Sequence, residues 1–234
     1  MKLFTKGESN PKIAKSNRRG GIETLILHLA PASVSGHQVC SSASPGCIAA
    51  CLNTAGRGRM DSVQAARIRR TKMWFTEREA FKAQIVKELT AFVKRCDKLG
   101  KMGAVRLNGT SDLLWEKQWP ALFTQFADLK FYDYTKHVKR CLENWSLPEN
   151  YHLTFSRSET NQADCLRVLE AGRHNVAAVF DSKEFPASWE GFPTYSADDD
   201  DLRFLDPPGG HVGALYAKGF GKRDETGFVL PVLA

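Results

Sequence analysis

No stretch of this 234-residue chain approaches the roughly 20 consecutive apolar residues that a membrane-spanning helix needs. The longest apolar run, around residues 25–32, is broken by His28 and closed by Pro31. A membrane partner is therefore not expected. No C-x2-C pair occurs, which removes the usual zinc-ribbon and ferredoxin ligand spacings. A nucleophile elbow, a Walker loop, a zinc-protease helix and a dinucleotide fingerprint are also missing. Acid is scarce at the start. In the first 20 residues Glu8 stands alone against Lys2, Lys6, Lys12, Lys15, Arg18 and Arg19. No apolar segment follows this basic start, so it does not read as a secretory signal, and a cytoplasmic protein is expected. Cytosolic cysteines seldom form disulfides, so the six present here are expected as buried thiols, metal ligands or nucleophiles.

Apolar residues make up 42% of the chain and charged residues 25%, a balance that excludes collagen-like, coiled-coil and wholly disordered classes. The net charge is +7, with a second basic cluster at Arg57, Arg59, Arg67, Arg69, Arg70 and Lys72 and an acidic run at 198–201. Such clusters are either solvated surface or a footprint for phosphates or nucleic acid. Residues 1–20 read as a flexible basic arm and 21–234 as a single α/β domain.

A β-prone run at 22–30 opens that domain, and a polar loop at 32–58 follows, long enough to suggest function. Residues 61–99 read as two helices, with Thr76 and Glu79 as a capping box at the second start. Phe81, Ile85, Leu89, Phe92 and Cys96 recur at helical spacing and predict a buried stripe. Beyond Gly103 a rhythm sets in. Short β-prone runs at 104–107, 130–134, 152–155 and 176–180 end in polar tips that begin at Asn108, Thr135, Ser156 and Asp181. Helical segments at 113–126, 138–145 and 163–171 lie between them. Repeated βα units of this length predict a partial (β/α) barrel of about six mainly parallel strands. In such sheets the polar tips gather at the carboxyl ends of the strands, where ligands bind. Residues 203–205 are expected as a further strand, and 212–217 with 228–233 as a C-terminal β pair.

The most informative stretch is Cys40-Ser-Ser-Ala-Ser-Pro-Gly-Cys47-Ile-Ala-Ala-Cys51, spaced C-x6-C-x3-C just after the first strand. Thiolates are soft ligands that select zinc, copper(I) or iron–sulfur clusters. Zinc would need a fourth ligand, with His37 as the nearest candidate. Three thiolates on one small-residue loop fit a [4Fe-4S] cluster whose fourth iron stays open to a small ligand. Cys96, Cys141 and Cys165 fall on helical segments and are expected as packed thiols.

Radical S-adenosylmethionine enzymes also place three cysteines in the loop after the first strand of a partial (β/α) barrel, and this layout resembles theirs. Their usual spacing is C-x3-C-x2-C, and here Asn108-Gly-Thr-Ser-Asp112 stands where a Gly-Gly-Glu-like motif would follow the second strand. A closer resemblance rests on five blocks. They are CSSASPGCIAACLNTAGRGR from Cys40, VRLNGTSDLLWE from Val105, FYDYTK from Phe131, YHLTFSRSETN from Tyr151 and GHVGALYAKGFGKRDETGFV from Gly210. Together these resemble the bacteriophage gene-product-88-type family. That resemblance implies a viral protein acting in the cytoplasm of an infected bacterium, and it implies no particular reaction.

Three functions follow from these residues. The first is a metal-binding oxidoreductase or lyase. Cys40, Cys47 and Cys51 would hold the cluster, an electron donor would serve it, and Asn108, Asp112, Tyr134, Arg157 and Asp181 would orient a substrate. The second is a radical enzyme that binds S-adenosylmethionine. The third is a nucleic-acid-binding protein with a structural cluster. Arg157 is the strongest anion-binding candidate among the strand tips. Asn108 and Asp112 read equally well as a turn with a helix cap.

Overall fold

The computed structural model describes residues 1–7, 14, 21–142 and 145–232. The β-prone runs become strands β1 (Phe4–Lys6), β2 (Ile22–Leu27), β3 (Met102–Arg106), β4 (Lys130–Thr135), β5 (Tyr151–Ser156) and β6 (Val176–Phe180). Strands β7 (Ser188–Trp189), β8 (Phe192–Ser196), β9 (Val212–Tyr216) and β10 (Val229–Leu230) complete one sheet. Its order is β1-β2-β3-β4-β5-β6-β9-β8-β7, with β10 on β6. Pairs β2–β3, β3–β4, β5–β6, β6–β9 and β8–β9 are parallel and β1–β2 and β7–β8 antiparallel, so the sheet is largely parallel and its ends stay open. This is the α/β class that the βα rhythm predicts. Among the described residues no helix is long and apolar enough to cross a membrane.

The chain packs as two compact units, each assembled from three separate stretches, where the sequence reads as a single domain. The first unit is Met1–Cys40, Met60–Asp133 and Leu147–His152. Every residue of β2 (IETLIL) is buried, as expected of a strand inside a parallel sheet. Helices α2 (Asp61–Thr76) and α3 (Arg78–Leu99) follow the loop, and Gly100 closes α3 at φ 59, a left-handed cap that favours glycine. The predicted stripe on α3, from Phe81 to Cys96, is buried throughout, each large apolar side chain contributing about 2 kcal/mol. Trp74 of α2 packs on Phe81 and on Trp115 of α4 (Trp115–Gln118) at centroid distances of 5.4 and 4.7 Å.

Two expectations fail in this unit. The capping box is not made. Thr76 Oγ1 donates back to the Lys72 carbonyl, and the helices separate because Glu77 leaves helical geometry at φ −135, ψ 48. The basic arm is not wholly free either. Leu3 and Phe4 are buried, β1 pairs antiparallel with β2, and the Leu3 and Phe4 N–H groups donate to the Glu88 carboxylate at 2.7 and 3.0 Å. Residues 8–13 and 15–20 of that arm lie outside the described residues.

The second unit is Ser41–Arg59, Tyr134–Ser146 and Leu153–Ala234. Its core gathers Phe155 of β5, Val176, Ala178 and Phe180 of β6, Val212 and Ala214 of β9, and Cys165, Val168 and Leu169 of α7 (Gln162–Ala171). Short helix α6 (Lys139–Leu142) lies within the predicted segment 138–145, of which 143–144 are outside the described residues.

The C-terminal β pair is corrected. Strands β9 and β10 do not pair with each other. Both run parallel to β6, with Val212 opposite Val176 and Val229 opposite Val179. The expected strand at 203–205 is a 3-10 turn, because buried Arg203 is satisfied locally by Asp200 and Asp206. The antiparallel β7–β8 hairpin, turned at Glu190 and Gly191 with φ 50 and 83, was not among the expected elements.

Candidate functional site

In the first unit, the loops after β2 and β3 meet around Cys40. The chain leaves β2, makes a turn at Ala32 with φ 46, and returns so that the Ala32 N–H donates to Cys40 Sγ at 3.4 Å. Cys40 is half-buried, its Sγ lies 3.9 Å from the Thr110 carbonyl, and its N–H is held by Gln38 Oε1 at 2.8 Å. Asp112 joins the same loops through its N–H to the Val39 carbonyl at 2.8 Å.

Asn108 shapes this corner. Its Oδ1 accepts from Ser111 Oγ, the Leu113 N–H and Trp115 Nε1, and its Nδ2 donates to the Leu113 carbonyl. With 2% of its surface exposed, the side chain is committed to building the loop. Beneath it lies Asp133 of β4, fully buried. Asp133 accepts from the Asn108 N–H at 2.7 Å and from Tyr151 Oη at 2.9 Å, and Arg106 stands 4.0 Å away. Sequence reasoning leaves Asp133 open between ligand contact and a structural role, and these bonds assign it the structural one. The signal is a carboxylate between two tyrosines in an otherwise apolar β run. His37 is stacked flat on Phe75 at 4.3 Å.

In the second unit, the other two cysteines sit on and just after a one-turn helix, α1 (Pro45–Ala49). Ser44 caps it, accepting from the Cys47 N–H at 3.2 Å, and Pro45 occupies the first turn, where its missing N–H costs nothing. The Cys51 N–H closes on the Ile48 carbonyl, one turn after Cys47, and Thr54 in turn donates to the Cys51 carbonyl. Cys47 and Cys51 are both half-buried, and neither is in a disulfide.

Glu159 clamps this helix from the tip after β5. It accepts from Ser44 Oγ and from the Gly46 N–H, both at 2.7 Å. Burial alone would raise its pKa. The hydrogen bonds from Ser44, Gly46 and its own N–H outweigh burial and hold it below the usual carboxylate value of 4.5. A carboxylate with a depressed pKa stabilises the fold above its unfolded value and loses that contribution as pH falls through the folded one. Resistance of residues 41–59 to limited proteolysis is therefore expected to hold above pH 4.5 and to fall away below it, and Glu159→Gln should flatten that dependence. Gly46 has no room for a side chain, since a Cβ there would collide with Thr226 Oγ1 and with the Glu159 carboxylate. Gly46→Ala is expected to displace Glu159 and raise the protease sensitivity of this stretch at neutral pH.

The remaining predicted residues hold the C-terminal segment. Arg157 is buried, and its Nη1 donates to the carbonyls of Gly227 and Phe228 at 2.6 and 2.9 Å. Burial pulls its pKa below the ordinary arginine value. Its guanidinium thus grips backbone. Asp181 is exposed and ties down β10, accepting the Val232 N–H at 2.9 Å while its own N–H donates to the Leu230 carbonyl. Tyr134 is half-buried, and its charge interactions include Arg203 and Tyr195. Tyr195 donates to Asp206 at 2.6 Å; burial first and then that carboxylate push its pKa up.

The other three cysteines are buried, as helical placement predicts. Burial is the largest cause pushing Cys96 up to about 11 and Cys165 to about 12, so both stay protonated near neutral pH. Among the described residues no group of three or more His, Cys, Asp or Glu side chains is arranged to hold a metal ion. The donors that suit a soft metal are the half-buried thiols of Cys40, Cys47 and Cys51, and the N–H donor on Cys40 suits a ligating thiolate.

A family model described as gene product 88 matches residues 2–231, nearly the whole chain. No curated protein and no solved structure matches.

Proposed function

This chain belongs to the gene product 88 family, and we propose that it is an iron–sulfur protein in which Cys40, Cys47 and Cys51 bind one [4Fe-4S] cluster. One observation carries the reading. Of the six cysteines, the three within twelve residues of one another are half-buried, and the three on helices and in the apolar core are buried. A ligand must be reachable and must give up its proton; a buried thiol does neither readily. The span between Cys40 and Cys47 is rich in small residues, and Ser44 and Glu159 fix the start of the helix that bears Cys47.

With three thiolates the cluster would supply an open iron, able to polarise a small ligand as a Lewis acid or to pass electrons. The chain's own residues prepare that chemistry. The Ala32 N–H points at Cys40 Sγ, where it would support a ligating sulfur, and the Ser44–Glu159 clamp holds the Cys47 turn against fraying. Asn108 and Asp133 hold the loop beside Cys40, and Arg157 and Asp181 hold the C-terminal segment, so their role is positioning. The function read here is redox or lyase-type chemistry on a small substrate, in the cytoplasm of a phage-infected bacterium, with an electron donor as partner.

Anaerobic reconstitution with iron and sulfide tests this. The expected result is about four irons and four sulfides per chain, with broad thiolate-to-iron absorbance near about 400 nm. Reduction should produce an electron paramagnetic resonance signal that shifts when a small ligand such as cyanide reaches the open iron. Stoichiometric zinc with no iron in an anaerobic preparation would overturn the reading.

A further inference from the structure

One surface of the second unit adjoins the Cys47–Cys51 turn and carries exposed cations and an aromatic ring. The 3-10 turns Leu52–Thr54 and Gly56–Arg59 pack against the turn Gly219–Arg223. Gly219, at φ 57, lies so close to Thr54 and Ala55 that a Cβ would come within 3.1 Å of each. This packing brings the Arg-Gly-Arg of one turn beside the Phe-Gly-Lys-Arg of the other. Phe220 is 55% exposed, although burial of such a ring would be favourable, and the Arg59 guanidinium sits 5.9 Å from its centroid. On the neighbouring strand, Tyr216 carries two ammonium groups over its ring, Lys222 at 5.2 Å and Lys183 at 5.5 Å.

Two of the acids nearby are already engaged, and a third, Glu225, lies exposed at the rim of the adjoining cavity. Asp198 pairs with Lys218 at 2.6 Å and accepts the Tyr216 N–H. Asp224 is turned onto its own loop, accepting from Thr226 Oγ1 and the Val229 N–H. An open cavity of about 470 Å³ adjoins Phe220 and Arg223, with Ala49 and Ala50 on its apolar side and Asp224, Glu225 and Thr226 on its polar side. That volume is within the range of small-ligand sites.

An exposed ring and a half-buried one, both flanked by cations and beside an open slot of base size, form a combination that holds single-stranded nucleic acid. Bases stack on the rings, and phosphates meet the lysines and arginines. We propose that this face, centred on Phe220 and Tyr216, binds single-stranded nucleic acid with a base stacked on Phe220. The proposal needs no cluster, since Phe220, Tyr216 and the cations around them include no thiol, although Ala49 and Ala50 lie between Cys47 and Cys51.

Fluorescence anisotropy of the full chain with labelled 20-mers of single-stranded DNA and RNA, between 50 and 200 mM salt, tests it. Binding is expected to fall steeply with salt. Phe220→Ala should weaken binding roughly tenfold, and Phe220→Trp should preserve it. Lys222→Gln should flatten the log–log salt slope by about 0.7, the value for one lost phosphate contact on a single strand. Circular dichroism checks that each variant is folded, which the exposure of Phe220 favours. A preference for DNA or RNA would identify the strand bound. Three results would overturn the proposal: no anisotropy change with either probe at 50 mM salt, binding that Phe220→Ala and Lys222→Gln leave unchanged, or competition by polyglutamate as strong as by the oligonucleotide.

Discussion

Cys47→Ala is expected to remove most of the iron and most of the visible absorbance from anaerobically reconstituted protein, and Cys40→Ala and Cys51→Ala should do the same singly. Each removes one of three thiolates, and a cluster left with two protein ligands is not retained under chelation. Cys96→Ala, Cys141→Ala and Cys165→Ala should leave colour and iron content intact, because all three thiols are buried and burial keeps Cys96 and Cys165 protonated. Their cost should be packing alone, on the order of 1 kcal/mol each. Iron analysis and absorbance of the six variants, purified in parallel, separate the two groups. If Cys96→Ala bleached the protein as fully as Cys47→Ala, the cluster would have four protein ligands and the open-iron reading would fail.

The largest stability effect is expected at Asp133→Ala. This carboxylate is fully buried and accepts from the Asn108 N–H and Tyr151 Oη, with Arg106 at 4.0 Å. Truncation leaves a buried donor, a buried phenol and a nearly buried guanidinium without their shared acceptor. Breaking a buried charged pair in this way costs about 3 kcal/mol. For a chain of this length, that corresponds to roughly 6–12 °C in Tm. Tyr151→Phe deletes only one hydrogen bond and should cost about 1 kcal/mol. Urea unfolding of both variants measures the difference. An Asp133→Ala variant within about 1 kcal/mol of the parent would mean that Asp133 does not organise this corner.

The Asp133 network also decides how the neighbouring tip is understood. Asn108 reads from sequence either as a ligand-contacting residue or as a turn former, and the two cannot be told apart by spacing. Its donors and acceptors are consumed by Ser111, Leu113 and Trp115. Arg157 illustrates the same point. A lone arginine in a polar tip looks ready for an anion, yet two backbone carbonyls 70 residues downstream take its guanidinium. Phe220, lying between glycines, has no sequence signal that distinguishes an exposed ring from a buried one.

Sequence alone determined the elements whose signal is local and periodic. The α3 stripe from Phe81 to Cys96 follows from helical spacing, and β6 at Val176–Phe180 follows from a short apolar run between turns. The largely parallel α/β class followed from their alternation, and the split between one cysteine-rich loop and three helical cysteines was equally legible. Tertiary structure decided whatever depends on partners distant in the chain. Glu88 recruits β1 from the basic arm, and β6 offers an edge to both β9 and β10. Glu159 reaches back 113 residues to the Gly46 N–H of α1. The physical reason is that backbone propensity acts over a few residues, whereas a buried donor or acceptor is satisfied by whichever group the fold brings within about 3 Å.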